Sequence, residues 1–564
     1  MTGSGYPGRM VRFALGIRLS LPPIFWVALL PFGFLVHRFL FVCDDAYISF
    51  RYAKNFAHGL GLTFNPGNVD GPVEGYTNFL WVLLMAAGEI MGVAAPVFSL
   101  ILSIACGAGL LLLVGQFLSE PSRGGSQSTA VIGGLLFATF PPLAMWSTGG
   151  LATMSVALAL TGLFAALWLD PTRPRLGLGL ACAACGVLLR ADGIGVVGLI
   201  LATSGLVAWG SQRAALRKAV ILIGVASLAL FGAHAAFRLS YYGDWLPNTA
   251  RAKVTLDELP ETLKHGIQIR GTNYLIAFVL TFPSVVLGVL GPLLLLGRNR
   301  SQRTWVIPAV LTICGHWLYA RQVGGDFMAM GRFLVPTLPL IVLVSAMLLG
   351  RVWAASRPVG VLLVGAGICV SLAPAWNHHA VPYETRVAYH FRWNHRIEDV
   401  KSGEKRMQSE YERWHDMCVN VDHWVLVGKA MSLFTKPTES LAAGGVGAIG
   451  YYCDIYLYDT YGLTNKALML RPPPIKRLRS PGHDRFAPPE FFHDRSLTFL
   501  SAGLCKAMLL HKLPARIKYT HPAFKHLAKN IDPDQVPCTL EVHPLNDVDG
   551  FPEDETLILQ RVDL

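Results

Sequence analysis

The sequence contains few charged residues. Asp, Glu, Lys and Arg make up 15% of its 564 residues, while hydrophobic residues make up 52%. Soluble proteins carry about 25% charged residues. A charge near the centre of a bilayer costs on the order of 3 kcal/mol, so long stretches without charge are typical of membrane spans. The deficit therefore predicts a polytopic integral membrane protein rather than an ordinary soluble one.

The sequence also lacks a basic patch interleaved with aromatic residues, although its net charge is +12. Without such a patch, nucleic acid is not a predicted partner. The basic residues cluster instead in short segments beside apolar runs: the N-terminus, 211–218, 298–304 and 351–357. Such segments stay on the cytoplasmic side of a membrane. The segments predicted to lie outside are then 43–77, 240–271, 321–331 and the chain after 375.

Apolar runs near the spanning length of ~20 residues recur as far as Ala373. They are 22–42, 78–93, 97–118, 128–145, 150–168, 176–190, 194–210, 218–239, 272–297, 305–320, 332–350 and 358–374. An inside N-terminus and an outside C-terminal domain require an odd number of crossings. One break, at 142–150 or 191–194, therefore does not cross the membrane, and about eleven spans are predicted. The first run has no convincing cleavage site and is read as a retained span.

The predicted fold is a membrane all-α bundle of about eleven transmembrane helices, residues 1–374, followed by an extracytoplasmic α/β domain, residues 375–564. In the first outside loop, Asp45–His58 is predicted to be an amphipathic helix on the membrane surface, because apolar residues recur at fourfold spacing. Residues 254–268 resemble it. Ala442–Tyr452 is predicted to be a buried strand and turn.

Of the ten cysteines, six lie in or beside apolar runs, where packing roles are expected. The other four are Cys418, Cys453, Cys505 and Cys538. In an extracytoplasmic domain, four thiols are candidates for two disulfides.

Two adjacent carboxylates, Asp44 and Asp45, follow the first apolar run. Like charges this close together raise the pKa of one of the pair. The functional interpretation is a general base or a cation ligand. The structural interpretation is a helix N-cap, since Asp is favoured there.

Polar residues that follow in the same loop are candidates for substrate contacts. Arg51 and Lys54 are predicted to bind phosphate, with lipid headgroups as the competing partner. The run from Glu74 to Trp81 contains Tyr76 and Asn78, which are predicted to contact substrate. Tyr76 and Trp81 also fit an aromatic belt at the membrane interface.

Three later segments carry further candidates. Arg190 ends an apolar run and is followed by Asp192; the alternatives are a functional cation and a structural pair. The loop after Tyr241 contains the substrate candidate Asn248 and the phosphate candidates Arg251 and Lys253. The loop after Arg321 contains the substrate candidate Asp326 and the phosphate candidate Arg332, which are spaced to pair or to face a common cavity.

The stretch Gly445-Val-Gly447-Ala-Ile-Gly450 fits the pattern G-x-G-x-x-G. A dinucleotide site also needs a preceding strand, a helix that opens on the pattern and an acidic residue near twenty positions on. The following Tyr-Tyr-Cys-Asp is read as strand or turn. The dinucleotide interpretation is therefore rejected.

Several motifs together resemble a known family. They are Asp44-Asp-Ala-Tyr-Ile-Ser-Phe-Arg-Tyr-Ala-Lys, Gly-Leu-Thr-Phe-Asn-Pro-Gly, Glu74-Gly-Tyr-Thr-Asn-Phe-Leu-Trp, Tyr-Tyr-Gly-Asp-Trp-Leu-Pro-Asn, Gly-Gly-Asp-Phe followed by Arg-Phe-Leu-Val-Pro, and Asp459-Thr-Tyr-Gly-Leu-Thr. From about 44 to 465 the chain resembles bacterial membrane proteins related to the mycobacterial terminal β-(1→2)-arabinofuranosyltransferase, of the GT-C glycosyltransferase class, and LphB-like membrane proteins. The turn after Arg190 departs from the family in having Ala where Pro is expected.

The resemblance implies transfer of a sugar, arabinofuranose by default, from a polyprenyl-phosphate donor to a cell-envelope glycan at the outer face of the bacterial cytoplasmic membrane. It places Asp44 and Asp45 at the catalytic centre, where Mg²⁺ or Mn²⁺ is a possible cofactor. It further implies that cations hold the departing phosphate, for which Arg51, Arg190, Lys253 and Arg332 are nominated. The alternatives are a transporter or flippase for a lipid-linked glycan and a non-catalytic assembly factor.

Overall fold

The structure is a computed structural model. It describes residues 11–12, 18–19, 21–67, 71–254, 259–291, 300–383, 396–398, 402–470, 475, 478, 481–492, 495–506, 538–546, 548–552 and 554–562.

Helices dominate the described part of the chain. The α-helices are α1 (Leu29–Arg38), α2 (Asp44–Ala57), α3 (Phe79–Ile90), α4 (Ala95–Ser119), α5 (Gln127–Ala138), α6 (Pro141–Met145), α7 (Thr153–Trp168), α8 (Leu176–Leu188), α9 (Gly193–Gly210), α10 (Ala214–Tyr242), α11 (Asn248–Val254), α12 (Glu261–Thr281), α13 (Val285–Leu290), α14 (Arg300–Gln322), α15 (Leu338–Ala355), α16 (Arg357–Leu372), α17 (Glu410–Phe434), α18 (Gly447–Tyr452) and α19 (Lys466–Leu470). Short 3₁₀ helices are Pro23–Ala28, Pro121–Arg123, Ala329–Thr337, Ala373–Ala375 and Pro489–Phe492.

The β-strands are short near the N-terminus and longer near the C-terminus. They are β1 (Val11–Arg12), β2 (Arg18–Leu19), β3 (Arg396–Glu398), β4 (Lys405–Met407), β5 (Ser440–Ala443), β6 (Tyr456–Asp459), β7 (Phe499–Lys506), β8 (Cys538–Pro544) and β9 (Glu555–Val562).

Within the described ranges, five helical segments are long and apolar enough to cross a membrane. They are Ala95–Ser119, Gly193–Gly210, Ala214–Tyr242, Ala329–Ala355 and Arg357–Ala375. Five further apolar helices are shorter: Pro23–Arg38, Phe79–Ile90, Gln127–Ala138, Thr153–Trp168 and Leu176–Leu188. The predicted run 128–145 is interrupted, because α5 ends at Ala138 and Pro141 begins α6. The number of about eleven spans stays a prediction.

The chain forms two compact units, each made of three segments. Unit 1 comprises 1–41, 99–233 and 265–414, and unit 2 comprises 42–98, 234–264 and 415–564. The predicted domain boundary after residue 374 is the end of the last predicted membrane span, and it stays a prediction. The two units are instead defined by contacts between residues. By that criterion residues 43–77, the first loop predicted to lie outside, belong to the same unit as residues 415–564.

Unit 1 is built around α7. Every residue of this helix except Leu158 is buried, as expected for a helix that is apolar on all sides. Its neighbour α8 approaches closely at Gly162, where an added Cβ would lie 2.7 Å from Sγ of Cys182. Small residues permit such close packing of membrane helices.

Unit 2 contains a five-stranded mixed sheet in the order β6-β5-β7-β9-β8. Strand β5 is parallel to β6 and β7, and β9 is antiparallel to β7 and β8. The helix predicted at Asp45–His58 is confirmed as α2, and its location on the membrane surface stays a prediction. The predicted helix at 254–268 is wrong in its bounds, since α11 ends at Val254 and α12 begins at Glu261; residues 255–258 lie outside the described part.

The cysteine prediction is wrong for two residues. Cys418 and Cys453 are free thiols, so the two predicted disulfides do not form with them. Cys453 instead lies 3.5 Å from the Thr435 hydroxyl. The side chains of Cys505 and Cys538 lie outside the described residues.

Candidate functional site

The two candidate carboxylates lie in the first turn of α2. Cys43 precedes them in an extended conformation and makes no side-chain cap. Asp44 accepts hydrogen bonds from the amides of Ala448 (2.7 Å) and Gly447 (3.3 Å). The structural interpretation, an N-cap of the helix that follows, is therefore wrong, because Asp44 is the first residue of α2 itself. Its carboxylate instead caps the N-terminus of α18, about 400 residues later.

Burial controls the protonation of Asp44. It raises the pKa of this carboxyl from its ordinary value of 3.8 to about 7, while the Ala448 and Gly447 amides lower the pKa and Asp45 raises it. Asp459 at the end of β6 is buried as well, which raises its pKa to about 6. A carboxyl group with a pKa near neutral pH can accept and return a proton there.

We expect the contribution of Asp44 to the stability of the protein to fall as pH rises from 4 to 7. The raised pKa of Asp44 means that the native state binds the proton more tightly than the unfolded state, so this contribution is present at low pH and is lost through pH 7. Asp44→Asn should flatten the slope only in part, because burial also raises the pKa of Asp459 to about 6 and that of Glu74 to about 7. The measurement is the thermal unfolding midpoint between pH 4 and 8. Glu261→Gln, at a side chain that is 86% exposed, serves as control. An unchanged slope in Asp44→Asn would contradict the shift.

The glycine-rich stretch next to Asp44 is a packing surface. The prediction of strand or turn after it is wrong, since the short helix α18 runs from Gly447 to Tyr452. An added Cβ on Gly447 would lie 2.0 Å from the carbonyl oxygen of Asp44, and one on Gly450 would lie 2.7 Å from Nη1 of Arg51. The glycine spacing thus reflects the close approach of α2.

Arg51 is buried, with 3% of its surface exposed. Its guanidinium donates to the carbonyls of Phe64 (2.7 Å) and Ile455 (2.8 Å) and to the side chain of Asn65 (3.3 Å). These contacts favour a structural role, and phosphate binding by Arg51 stays a prediction that this placement does not favour. Lys54 is more open and donates to the Tyr451 carbonyl (3.2 Å).

Three substrate candidates in this loop are engaged by other protein groups. Glu74 forms a buried ion pair with Arg238 (2.7 Å). The hydroxyl of Tyr76 lies 2.9 Å from that of Tyr242. Asn78 accepts from Ser49 (3.1 Å). All three connect the first outside loop to its surroundings in unit 2.

The loop after α10 is held in a similar way. Asn248 donates to the carbonyls of Gly462 (2.7 Å), Leu463 (3.0 Å) and Asn465 (3.2 Å). Arg251 forms a two-point ion pair with Asp244 (2.7 and 2.8 Å). The side chain of Lys253 lies outside the described residues.

Unit 1 brings two of the predicted cations together. Arg190 pairs with Asp192 (2.6 and 2.7 Å), which is the structural alternative given above. Arg332 pairs with Asp326 (2.6 Å), and both are buried. The guanidinium carbons lie 5.1 Å (Arg190) and 5.4 Å (Arg332) from the centre of the Phe333 ring. The two motifs thus share one aromatic side chain, which sequence separation does not predict.

The backbone at this cluster is strained. Met330 adopts a left-handed conformation (φ 57°), as does Gly331 (φ 63°). A non-glycine residue is uncommon in this region of φ/ψ space. The Met330 amide donates to Glu410, and the indole of Trp146 donates to the Ala329 carbonyl (3.2 Å). These contacts hold the turn that presents Arg332.

Two residues that contact the candidate residues or support their surroundings, Arg238 and Asn65, were not predicted. Arg238 lies inside the apolar run 218–239, and its charge there is the one signal that could have indicated it. Asn65 accepts from the Leu457 amide (3.1 Å) and donates to the Leu457 carbonyl (2.9 Å). Asn65 was not nominated, although it lies in the motif Gly-Leu-Thr-Phe-Asn-Pro-Gly that carries part of the family resemblance.

The described residues offer no cluster of three or more His, Cys, Asp or Glu side chains that could hold a metal ion. Asp44 and Asp45 alone make an incomplete ligand set for Mg²⁺ or Mn²⁺. We therefore assign no step to a metal, and a cation beside these carboxylates stays a prediction.

Comparison with known proteins gives a partial match to a family and a longer match to a curated relative. Residues 408–512 match a family described as a domain of unknown function (DUF8728). The terminal β-(1→2)-arabinofuranosyltransferase of Mycobacterium tuberculosis is 29% identical over 394 residues, which cover 63% of this chain. The matched part spans 60% of that relative's length. The predicted resemblance is thereby confirmed.

Two solved structures match the chain. ArnT from Cupriavidus metallidurans, bound to undecaprenyl phosphate, has a TM-score of 0.51 at 13% identity and matches 95% of this chain and 97% of its own. The Archaeoglobus fulgidus oligosaccharyltransferase has a TM-score of 0.47 at 12% identity and matches 77% of this chain and 62% of its own. The match to ArnT shows that the chain shares the fold of that protein, and five of its described helical segments are long and apolar enough for a multi-pass membrane protein.

Proposed function

We propose that the chain is a membrane glycosyltransferase that uses a polyprenyl-phosphate sugar as donor and a cell-envelope glycan as acceptor. The carrying observation is the pair of adjacent carboxylates in the first turn of α2, Asp44 and Asp45, which begins the first motif of the family resemblance. The similarity to a relative named as an arabinofuranosyltransferase supports the proposal. So does the shared fold with ArnT, a protein solved with undecaprenyl phosphate.

The proposed reaction forms one bond and breaks one. An ionised carboxylate of the Asp44–Asp45 pair takes the proton from an acceptor hydroxyl as its oxygen bonds to the anomeric carbon. The bond between that carbon and the phosphate oxygen breaks, and polyprenyl phosphate leaves with the negative charge. Cations stabilise that charge as it develops. Arg190 and Arg332 are the cations proposed to stabilise the phosphate. The guanidinium of each is already oriented by a carboxylate partner.

Arabinofuranose as the sugar, the outer face of the cytoplasmic membrane as the location and an extracytoplasmic C-terminal domain belong to this proposal. They rest on the relative's name and on the placement of basic loops. The loops that carry Asp44, Asn248 and Asp326 are all predicted to lie on that same side. A donor with its lipid in the bilayer presents its phosphosugar there.

Purified protein in lipid nanodiscs tests the proposal directly. We expect transfer of radiolabelled sugar from a polyprenyl-phosphate donor, with the arabinofuranosyl form included, to a cell-envelope glycan. Nucleotide sugars should not replace the lipid donor. No transfer, together with movement of a fluorescent lipid-linked glycan between leaflets, would instead establish a flippase. No transfer and no movement, with Asp44→Ala and Asp45→Ala still complementing in cells, would establish an assembly factor.

A further inference from the structure

One face of α2 packs on α18 and the residues after it. Its members recur three or four positions apart, as residues on one side of a helix do. Asp44 accepts from the Gly447 and Ala448 amides. Further along the helix, the Tyr47 ring lies 5.7 Å from that of Tyr451, and Arg51 donates to the carbonyl of Ile455. Asp44 is thus the first member of a docking face.

Asp45 lies on a different side of the same helix. Successive residues of an α-helix are rotated by about 100°. Asp45 therefore shares its side with Ser49, one turn on, whose hydroxyl donates to Asn78 (3.1 Å). This side does not contain the residues that contact α18. Two adjacent carboxylates in one turn are consequently held in different surroundings.

We propose that the two carboxylates have different roles. Asp44 is a positioning residue: its hydrogen bonds with the Gly447 and Ala448 amides, here called the lock, fix the first turn of α2. Asp45 is the catalytic base, and the lock fixes its orientation. The proposal rests on the proposed function and deepens it. Adjacent groups at the start of a helix share a backbone, so fixing Asp44 at two points also fixes the Cα–Cβ direction of Asp45. A misplacement of about 1 Å at a reacting group costs on the order of 10²-fold in rate.

Gly447 is the third part of the lock. A Cβ at this position would lie 2.0 Å from the Asp44 carbonyl oxygen and 2.8 Å from its Oδ1. No side chain fits unless α2 moves away. Gly447→Ala should therefore displace the carboxylate pair without touching substrate. The titratable groups that face Asp44 are Asp45 and Tyr47 on α2 and Asp459 at the end of β6.

The test combines hydrogen–deuterium exchange with transfer kinetics on the full-length protein in nanodiscs. Asp44→Asn and Gly447→Ala should increase amide exchange within residues 443–452 and lower kcat on the order of 10²-fold, with KM nearly unchanged. Asp45→Asn should lower transfer by roughly 10²–10⁴-fold and leave exchange in that segment as in wild type. Gly232→Ala is the matched glycine control, since nothing lies within 4 Å of its added Cβ.

Several outcomes would overturn the proposal. One is wild-type protection of residues 443–452 in Asp44→Asn. Another is full activity in Asp45→Asn alongside an inactive Asp44→Asn, which would make Asp44 the base. A wild-type protein that transfers no sugar from any lipid donor would remove the proposed function and the base assignment with it. The exchange measurement would still decide whether Asp44 locks α2 to α18.

Discussion

Replacement of Asp45 by Asn should reduce sugar transfer by roughly 10²–10⁴-fold, the usual contribution of a general base. The amide has almost the same shape as the carboxylate but cannot accept the proton of the acceptor hydroxyl. KM for the lipid donor should change little, because the donor contacts assigned to Arg190 and Arg332 remain. Initial rates in nanodiscs with a polyprenyl-phosphate sugar and a glycan acceptor measure the effect.

The matched control for this prediction is Glu261→Gln at the start of α12. It makes the same change of carboxylate to amide at a side chain that is 86% exposed and pairs only with Lys264 among the contacts described. Its rate should equal that of wild type. A general base contributes at least about 10²-fold to the rate. If Asp45→Asn loses less than about tenfold of the wild-type rate, a smaller loss than that, then Asp45 is not the base.

Local patterns predicted what local physics controls. Helix α2 follows from apolar residues at fourfold spacing, and it begins at Asp44, one residue before its predicted start. The break of the run 128–145 was not predicted, although Pro141 was its local signal, since proline can begin a helix but not continue one. The pairing of Asp326 with Arg332 was one of two alternatives, and a six-residue separation allowed the turn that brings them together.

Contacts between distant segments could not be predicted from the sequence. The close approach of the glycine pattern at Gly445–Gly450 to α2, some 400 residues earlier, was not predicted. Closely spaced glycines indicate that another part of the protein approaches the backbone closely, but they do not indicate which part. Cys418 and Cys453 failed as disulfide candidates for a related reason: composition gives the number of thiols and not their distance.

The motifs that carry the family resemblance also have a structural use that no motif reveals alone. The Asn248 amide donates to the Glu74 carbonyl (2.9 Å), and its side chain donates to the Gly462 carbonyl. The amide of Gly75 in turn donates to the hydroxyl of Tyr52 (2.9 Å). Three separate motifs therefore form one scaffold around α2. Residues nominated as substrate contacts, such as Glu74 and Asn248, are held within this scaffold.

The buried pair of Glu74 and Arg238 should be the most sensitive part of that scaffold. Their side chains are 3% and 4% exposed and lie 2.7 Å apart. Removal of one partner leaves an uncompensated charge in a site shielded from water, which costs about 3–5 kcal/mol. Glu74→Ala and Arg238→Ala should each lower the free energy of unfolding by about that amount, measured by denaturant titration in mixed micelles.

The double variant Glu74→Leu/Arg238→Leu separates the charge from the packing. It removes both charges together and keeps apolar volume, so it should recover most of the lost stability, because well-packed apolar residues often replace a buried ion pair at little cost. The exposed pair of Lys264 and Glu261 is the matched control; breaking it with Glu261→Ala should cost at most about 1 kcal/mol. A double variant as unstable as the single ones would show that the pair contributes specific geometry, such as the position of the Glu74 carbonyl that accepts from Asn248, and not charge compensation alone.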